Sequence, residues 1–490
     1  MLVIISDLHL SDGSIRPTLD AGAIRILRKQ ITTHAIQASW RSESEYRPVE
    51  GIDIVLLGDI FDFMQSSYWL ENDIRPWHAP HERATIQAFS DVAERIIAAN
   101  RESLQTLRSL AKSEPIRIAA TGAPGSANDT DRHTVPVRLH YMVGEKDWPL
   151  SLTGAAYDLL RQTVIQSMGL CQSPEQPLPH LLEDSPVLAG VLKQHRVYAQ
   201  HGDIADPISF SGNRQSACLA NILEIELLQS YVRATIASAG QALPQPFARM
   251  LVESIGLVPI TQVATRIERL LHRSISSSSL MRKYVNNWNW QVERAFDCAE
   301  KVLPKEQFSL TEFEAVYDAL QVELPVDARQ RQRMEFDIGL KTLQQAVSLS
   351  QEHPSCEHFV FGHTENRDSL VISHCQAGTQ LRDVGYFNVG SWRASELKSN
   401  ALNGFCFQSV QNMHLHLFYK DDERCGCPYE IWHGQKGAIR ISENAVATAP
   451  KSSVRAVRSL VRASVLSRPH FLERNLSGNS LSNSLTDEAR

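Results

Sequence analysis

Leu2-Val3-Ile4-Ile5-Ser6-Asp7-Leu8-His9 is a run of four apolar residues that leads straight into an acid and an imidazole. The plan repeats at Ile52-Asp53-Ile54-Val55-Leu56-Leu57-Gly58-Asp59-Ile60-Phe61-Asp62, where Asp53 alone interrupts the apolar run. Each is a short β-prone segment closed by a turn signal, the pattern of a strand buried on both faces. In open α/β sheets, ligands sit beyond the carboxyl ends of such strands. Both ends here deliver carboxylates, and the first adds His9. Asp7 and His9, one residue apart at a strand end, can turn toward one ion, which begins a metal site.

Outward from these two runs, the same plan recurs. Residues 137–143 are apolar-rich and end in Gly144-Glu145-Lys146-Asp147-Trp148. Residues 197–199 end in Gln200-His201-Gly202-Asp203, and residues 358–361 lead into Gly362-His363-Thr364-Glu365. A further strand reads at 116–120. Residues 121–136 hold Gly, Pro, Ser, Asn and Asp and are expected to form a loop. Residues 20–40, 82–110 and about 152–168 carry helical patterns. Residues 413–419 alternate polar and apolar, as a half-buried strand does.

The stretch 211–350 differs. Ile260, Val263, Ala264, Ile267, Leu270 and Leu271 share one helical face, Thr311 and Glu314 have capping-box spacing, and no strand is evident. The expected organisation is a first domain part at 1–210, a helical insertion or cap at 211–350, a second part at 351–440, and a basic helix and tail at 441–490. In the tail, Val454, Val457, Leu460, Val461 and Val465 recur at helical spacing between Arg455, Arg458 and Arg462. Such a helix either packs back on the domain or docks on a membrane surface or protein partner. From Asn475 the chain is rich in Ser and Asn and reads as disordered.

With 490 residues, 43% apolar and 21% charged, the chain can bury a large core and has the balance of a soluble globular protein. A formal net charge of −6 argues against a general nucleic-acid binder. The cysteines are scattered, and the close pair Cys425 and Cys427 lacks two further ligands at finger spacing. No signal peptide or membrane-length apolar run is evident, so reduced thiols and a cytoplasmic location are expected.

Asp7, His9, Asp59, Glu145, His201, His363 and Glu365 are thus the candidate metal ligands. Seven N and O ligands exceed what one ion needs and suit two divalent ions with a shared carboxylate. Such a pair can acidify a water and clamp a phosphoryl group. In order, the motifs D-x-H, G-D-x-x-D, G-E-K-D, H-G and G-H-T-E, followed by Asn388-Val389-Gly390-Ser391, resemble the calcineurin-like metallophosphoesterase superfamily. Their wording is most similar to the UDP-diacylglucosamine hydrolases of that superfamily. The resemblance covers about 1–210 and 350–420.

The resemblance implies an α/β (α+β) fold, a four-layer sandwich of two sheets flanked by helices with a helical insertion. It implies a dinuclear metal-dependent phosphoesterase. Metal-bound hydroxide would attack a phosphomonoester, phosphodiester or pyrophosphate. Asp7 and His9 would bind the first metal and Asp59 would bridge. Glu145, His201 and His363 would bind the second, and Glu365 would return to the first. Lys146 would grip a phosphate oxygen, and Asp62 and Asp147 would orient neighbours. Glu145 and Glu365 stand where the family has Asn and His. The two added carboxylates favour manganese, with iron, magnesium or zinc as alternatives. The alternative functions are a nuclease of the same superfamily and a catalytically weakened scaffold. In the insertion, Arg266, Arg269 and Arg273 form a stripe for anions or for water. Trp288 and Trp290 would stack on a ligand or pack in a core.

Overall fold

A computed structural model of the chain describes residues 1–122, 125–210, 212, 214–239, 251–252, 260–275, 277–304, 310–322, 338–364, 367–377, 380–398 and 406–441. Strand β1 (Leu2–Ile5) is followed by helix α1 (Ala21–Ala38), β2 (Ile52–Leu57), α2 (Arg83–Ala99), α3 (Arg101–Lys112), β3 (Ile116–Thr121), β4 (Ala127–Val135) and β5 (Val137–Met142). Next come α4 (Ala155–Met168), α5 (Pro186–Gln194) and β6 (Val197–Gln200). A helical region precedes β7 (His358–Phe361), β8 (Asp368–Ala377), β9 (Gln380–Asn388), β10 (Ala394–Lys398), β11 (Cys406–Phe418) and β12 (Tyr429–Ile441). The protein is mixed α/β.

One compact unit comprises Met1–Glu396 and Val410–Lys436. A second, Leu397–Ser409 with Gly437–Arg490, is described only at strand ends: Leu397 and Lys398 of β10, the start of β11 and the end of β12. The first sheet runs β10-β11-β1-β2-β5, with β12 on β11. β1, β2 and β5 are parallel, and β11 is antiparallel to β1. The second sheet runs β6-β7-β9-β8, its first three strands parallel.

Period-two alternation explains why the central strands read as unbroken apolar runs. Leu2 and Ile4 of β1, with Val55 and Leu57 of β2, join Val197, Ala199, Val360 and Phe387 in a core between the two sheets. Val3, Ile5, Ile54 and Leu56 face the opposite way and pack with α1 to α4. On the far face of the second sheet, Tyr198, Phe359 and Phe361 pack with Ala346 of the helix Ile338–Glu352. That helix belongs to the second sheet's cover rather than to a separate insertion ending at 350.

Two local expectations need correction. Residues 127–135 are not loop: β4 pairs antiparallel with β3. It escaped notice because its middle is exposed on both faces, so its residues are polar and show no apolar alternation. The single long helix over 82–110 is two helices meeting at Asn100, whose backbone leaves the helical region. Asn100 is buried. Its Nδ2 donates to Ser11 O at 2.7 Å and Ile96 O at 2.8 Å, and its Oδ1 accepts from Thr18 at 2.7 Å. The amide that breaks the helix also ties it to the loop after β1.

Among the described residues of 211–350 the regular elements are helical, and Leu219–Ile222, Leu223–Gln229, Ser230–Ala239, Val263–Ser274 and Ser278–Val302 share a core of their own around Trp288. Trp288 is buried, with its indole NH donating to Leu320 O at 2.7 Å, whereas Trp290 is half exposed under Arg294. No helix among the described residues is long and apolar enough to cross a membrane. The basic segment 451–468 lies outside the described residues, as does Glu365.

A candidate metal centre at the strand ends

The parallel strands β1, β2 and β5, and β6 and β7 of the facing sheet, bring their carboxyl ends to one place. Pairing continues past β1 and β2: Asp7 NH donates to Gly58 O at 3.1 Å, His9 NH to Asp59 O at 2.9 Å, and Leu10 NH to Ile60 O at 2.8 Å. The two acid-bearing loops therefore run side by side. His363 NH donates to Asp7 Oδ2 at 3.1 Å, joining the second sheet to the first.

The backbone here is unusual. Eight described non-glycine residues have positive φ, and half of them are candidate ligands: Asp7, His9, Asp59 and His363. The left-handed region costs an L-residue roughly 1–2 kcal/mol, and such residues cluster where function over-determines geometry. Gly58 and Gly144 supply the room. A Cβ on Gly58 would lie 2.5 Å from the His201 ring, and one on Gly144 would lie 2.6 Å from His201 Nδ1.

Six of the seven candidate ligands meet in two adjoining groups. Asp7, His9 and Asp59 form one, and Glu145, His201 and His363 the other; ligand atoms within each lie within 4.8 Å of one another. His201 links them. Its Nε2 is 3.5 Å from Asp7 Oδ1 and 3.9 Å from Asp59 Oδ2, while its Nδ1 is 3.5 Å from Glu145 Oε2. His363 Nδ1 is 3.2 Å from the same Glu145 oxygen.

The residues fit a cation. Glu145 Oε2, His201 Nδ1 and His363 Nδ1 are all buried, all without a hydrogen bond, and all converge. Buried polar atoms are normally satisfied, so three orphans aimed at one point have the chemistry of a divalent-ion site. No protein-family model and no curated protein matches the chain. The reading of this centre therefore rests on its own geometry.

Electrostatics point the same way. Burial, with Glu145, Asp147 and Asp7 nearby, pushes the Asp59 carboxyl well above its usual range. Burial also opposes charge on His201 and His363, but the surrounding carboxylates outweigh it. His201 rises to about 9 beside Asp59 and Asp7, and His363 to about 10 beside Glu145 and Asp206. Glu145 is itself buried yet held well below its usual range by His363, Lys146 and His201. The site is a crowd of buried anions that draws positive charge.

Lys146 and Asp147 are placed differently from a pair of substrate-facing groups. Lys146 is buried and its Nζ donates to Glu224 Oε2 at 2.7 Å, so its charge is already engaged. Asp147 accepts from Ile60 NH at 2.9 Å, from Tyr141 OH at 2.7 Å and from Gly144 NH at 2.5 Å. It braces the loops that carry Asp59 and Glu145. Lys146 NH donates to Asp59 Oδ1 at 2.9 Å.

Several contributors were not singled out in sequence. Asp206 Oδ2 lies 2.9 Å from His363 Nε2 and is itself held by Ser209. His363 thereby keeps Nδ1 for an ion, the carboxylate–histidine pattern of metal sites. Asp62, already expected from the sequence to orient a neighbour, lies 3.3 Å from His9 Nδ1. Arg16 and Arg393 flank Asp62 at 3.5 and 3.6 Å, and Arg393 also lies 3.0 Å from His9 Nδ1. Arg214 forms an ion pair with Asp203. Asn221 donates to Glu145 O at 3.1 Å, and Gln229 to Met64 O at 2.6 Å. A signal existed for Asp206, an acid five residues past His201. Glu224 also left one, an acid in the apolar run Leu223-Glu224-Ile225-Glu226-Leu227-Leu228. It sits in a π-helical turn, Leu223–Gln229, and such turns often serve functional sites.

Proposed function

We propose that the chain is a dinuclear metal-dependent phosphoesterase with the four-layer sandwich of the calcineurin-like superfamily. The observation that carries the reading is the pair of adjoining ligand groups with converging orphaned atoms at Glu145, His201 and His363. Asp7, His9 and Asp59 would hold one divalent cation, and Glu145, His201 and His363 a second, with Asp59 and His201 on the border. Bound ions of this kind supply Lewis acidity toward a phosphoryl oxygen and an acidified water.

The chain's own residues do the rest. Asp206 fixes the imidazole of His363, and the Asp62 carboxylate stands beside that of His9. Arg16 and Arg393, both beside Asp62, would orient an anionic ester, since guanidinium groups match phosphoryl oxygens with paired donors. Lys146, paired with Glu224, holds positive charge beside Glu145 and steadies that carboxylate. The carboxylate-rich ligand set favours manganese, magnesium or iron over zinc. The substrate class is a phosphomonoester, phosphodiester or pyrophosphate.

The test is metal content and turnover on aryl phosphate mono- and diesters with manganese, iron and zinc. Two ions per chain and metal-dependent hydrolysis are expected. Failure to retain any divalent ion, with no hydrolysis of any ester, would overturn the reading.

A further inference from the structure

A second cluster of reactive side chains lies at the other end of β2 and β5. Asp53, near the start of β2, is opposite Arg138 of β5 in the register, and His140 follows two residues on, on the same face. Arg138 Nε and Nη2 each donate to Asp53 at 2.7 Å. His140 Nε2 lies 2.9 Å from Asp53 Oδ1, and its Nδ1 lies 3.3 Å from Cys171 Sγ. Asp53 and His140 are buried, whereas Cys171 is exposed.

The thiol is held there by backbone. Helix α4 ends at Gly169 in the left-handed conformation. Cys171 NH then donates to Leu139 O at 3.0 Å. Gln172 clamps the neighbouring peptide, accepting from Tyr141 NH at 2.9 Å and donating to Tyr141 O at 2.6 Å. Residues 171 and 172 thus lie against β5 and set the sulfur beside His140. Six residues separate Asp53 from Asp59, roughly 20 Å along a strand, so this cluster is apart from the metal centre.

Thiol, imidazole and carboxylate in line form a nucleophile, a base and a group that orients the base. The charged groups facing His140 are Asp53 from β2, Arg138 from β5 and Cys171 from the segment after α4; the Met1 amino group also acts on Asp53. We propose that Cys171, His140 and Asp53 form a thiol–imidazole–carboxylate site that exchanges with low-molecular-weight disulfides, making Cys171 a site of reversible S-thiolation. The Cys171 thiolate attacks one sulfur of R–S–S–R. A Cys171–S–S–R bond forms, the R–S–S–R bond breaks, and RS⁻ leaves with the electron pair and takes the imidazolium proton. Cys171 is oxidised and half of the small disulfide is reduced, so no other oxidant is needed. Burial opposes charge on His140, yet Asp53 and Cys171 hold its pKa up at about 9, which keeps the imidazolium available at neutral pH.

Cys425, also exposed, is an internal reference. The full chain is treated with glutathione disulfide and with a chromogenic aromatic disulfide, and each cysteine is followed by peptide mass mapping. Cys171 should react about tenfold faster than Cys425 at pH 7. His140→Asn should bring Cys171 down to the Cys425 rate, and His140→Gln should do the same. If neither variant folds, the wild-type rate ratio of Cys171 to Cys425 decides alone. A Cys171 that reacts no faster than Cys425 would overturn the proposal.

Discussion

Among the described candidate ligands Asp206 touches His363 alone, so its contribution can be isolated. Replacing it by Asn keeps the shape but removes the charge that fixes the imidazole. Removal of such outer partners typically costs 10–100-fold in metal affinity. Asp206→Asn should therefore bind metal about tenfold or more weakly by titration calorimetry, with an unchanged circular dichroism spectrum. Asp59 is a stronger case because it borders both ligand groups. Asp59→Ala should lose both metal and nearly all hydrolysis, and a variant retaining two ions at full rate would remove the assignment. Glu224→Gln tests a different role. It would leave the buried Lys146 ammonium facing a neutral amide, and breaking a buried pair from one side costs about 3–5 kcal/mol. Urea unfolding should show a loss of that order, and Lys146→Met combined with Glu224→Gln should recover part of it.

The legibility of the site divides along the same line. Asp7, His9, Asp59, Glu145, His201 and His363 could be read because each closes an apolar strand, a one-dimensional pattern. Asp206 and Glu224 left only a faint local mark, while Arg393 and Asn221 act through neighbours distant in sequence and no local period marks them. Lys146 and Asp147 were visible as polar residues after β5, but only the packing reveals that one is paired with Glu224 and the other spent on loop amides. Glu365, the seventh candidate, lies outside the described residues.

At the scale of elements, buried parallel strands were legible and exposed ones were not, since burial is what writes apolar residues into a strand. The helical region was legible as helices, and these share a core of their own. Periodicity marked it as a separable cap, yet its first helices are continuous with the centre. Ala217 and Ile225 belong to the main core, and Asn221, Glu224 and Gln229 reach into the loops. Excising residues 214–322 should therefore lower metal affinity and the unfolding temperature together. A shortened chain that binds metal like the parent would show the region to be detachable after all.

For the molecule as a whole, the crowd of buried carboxylates would couple a bound divalent ion to folding. An ion that binds only the native state stabilises it by about 4 kcal/mol at a thousandfold excess over its Kd. Stripping divalent ions with a chelator should lower the unfolding temperature by several degrees, and manganese should restore it. Stability should also carry a pH signature from His140. Its pKa is raised to about 9 in the fold from an ordinary value of 6.5. The stabilisation from its charge is therefore complete below about 6.5 and fades as pH climbs through about 9. The difference in unfolding free energy between wild type and His140→Asn should be larger at pH 6 than at pH 9.5.

The pairing of β1 with β11 also governs how the molecule can be made. Leu2 is registered against Phe418, so the edge of β1 has no partner on that side until some four hundred residues later have emerged from the ribosome. At about 5–20 residues per second, that is a wait of roughly 20 to 80 s. Throughout it, one of the most apolar strands in the chain presents an open hydrogen-bonding edge, the kind that templates aggregation. Yield from rapid overproduction should therefore depend on slow translation or on chaperones that shield the nascent segment.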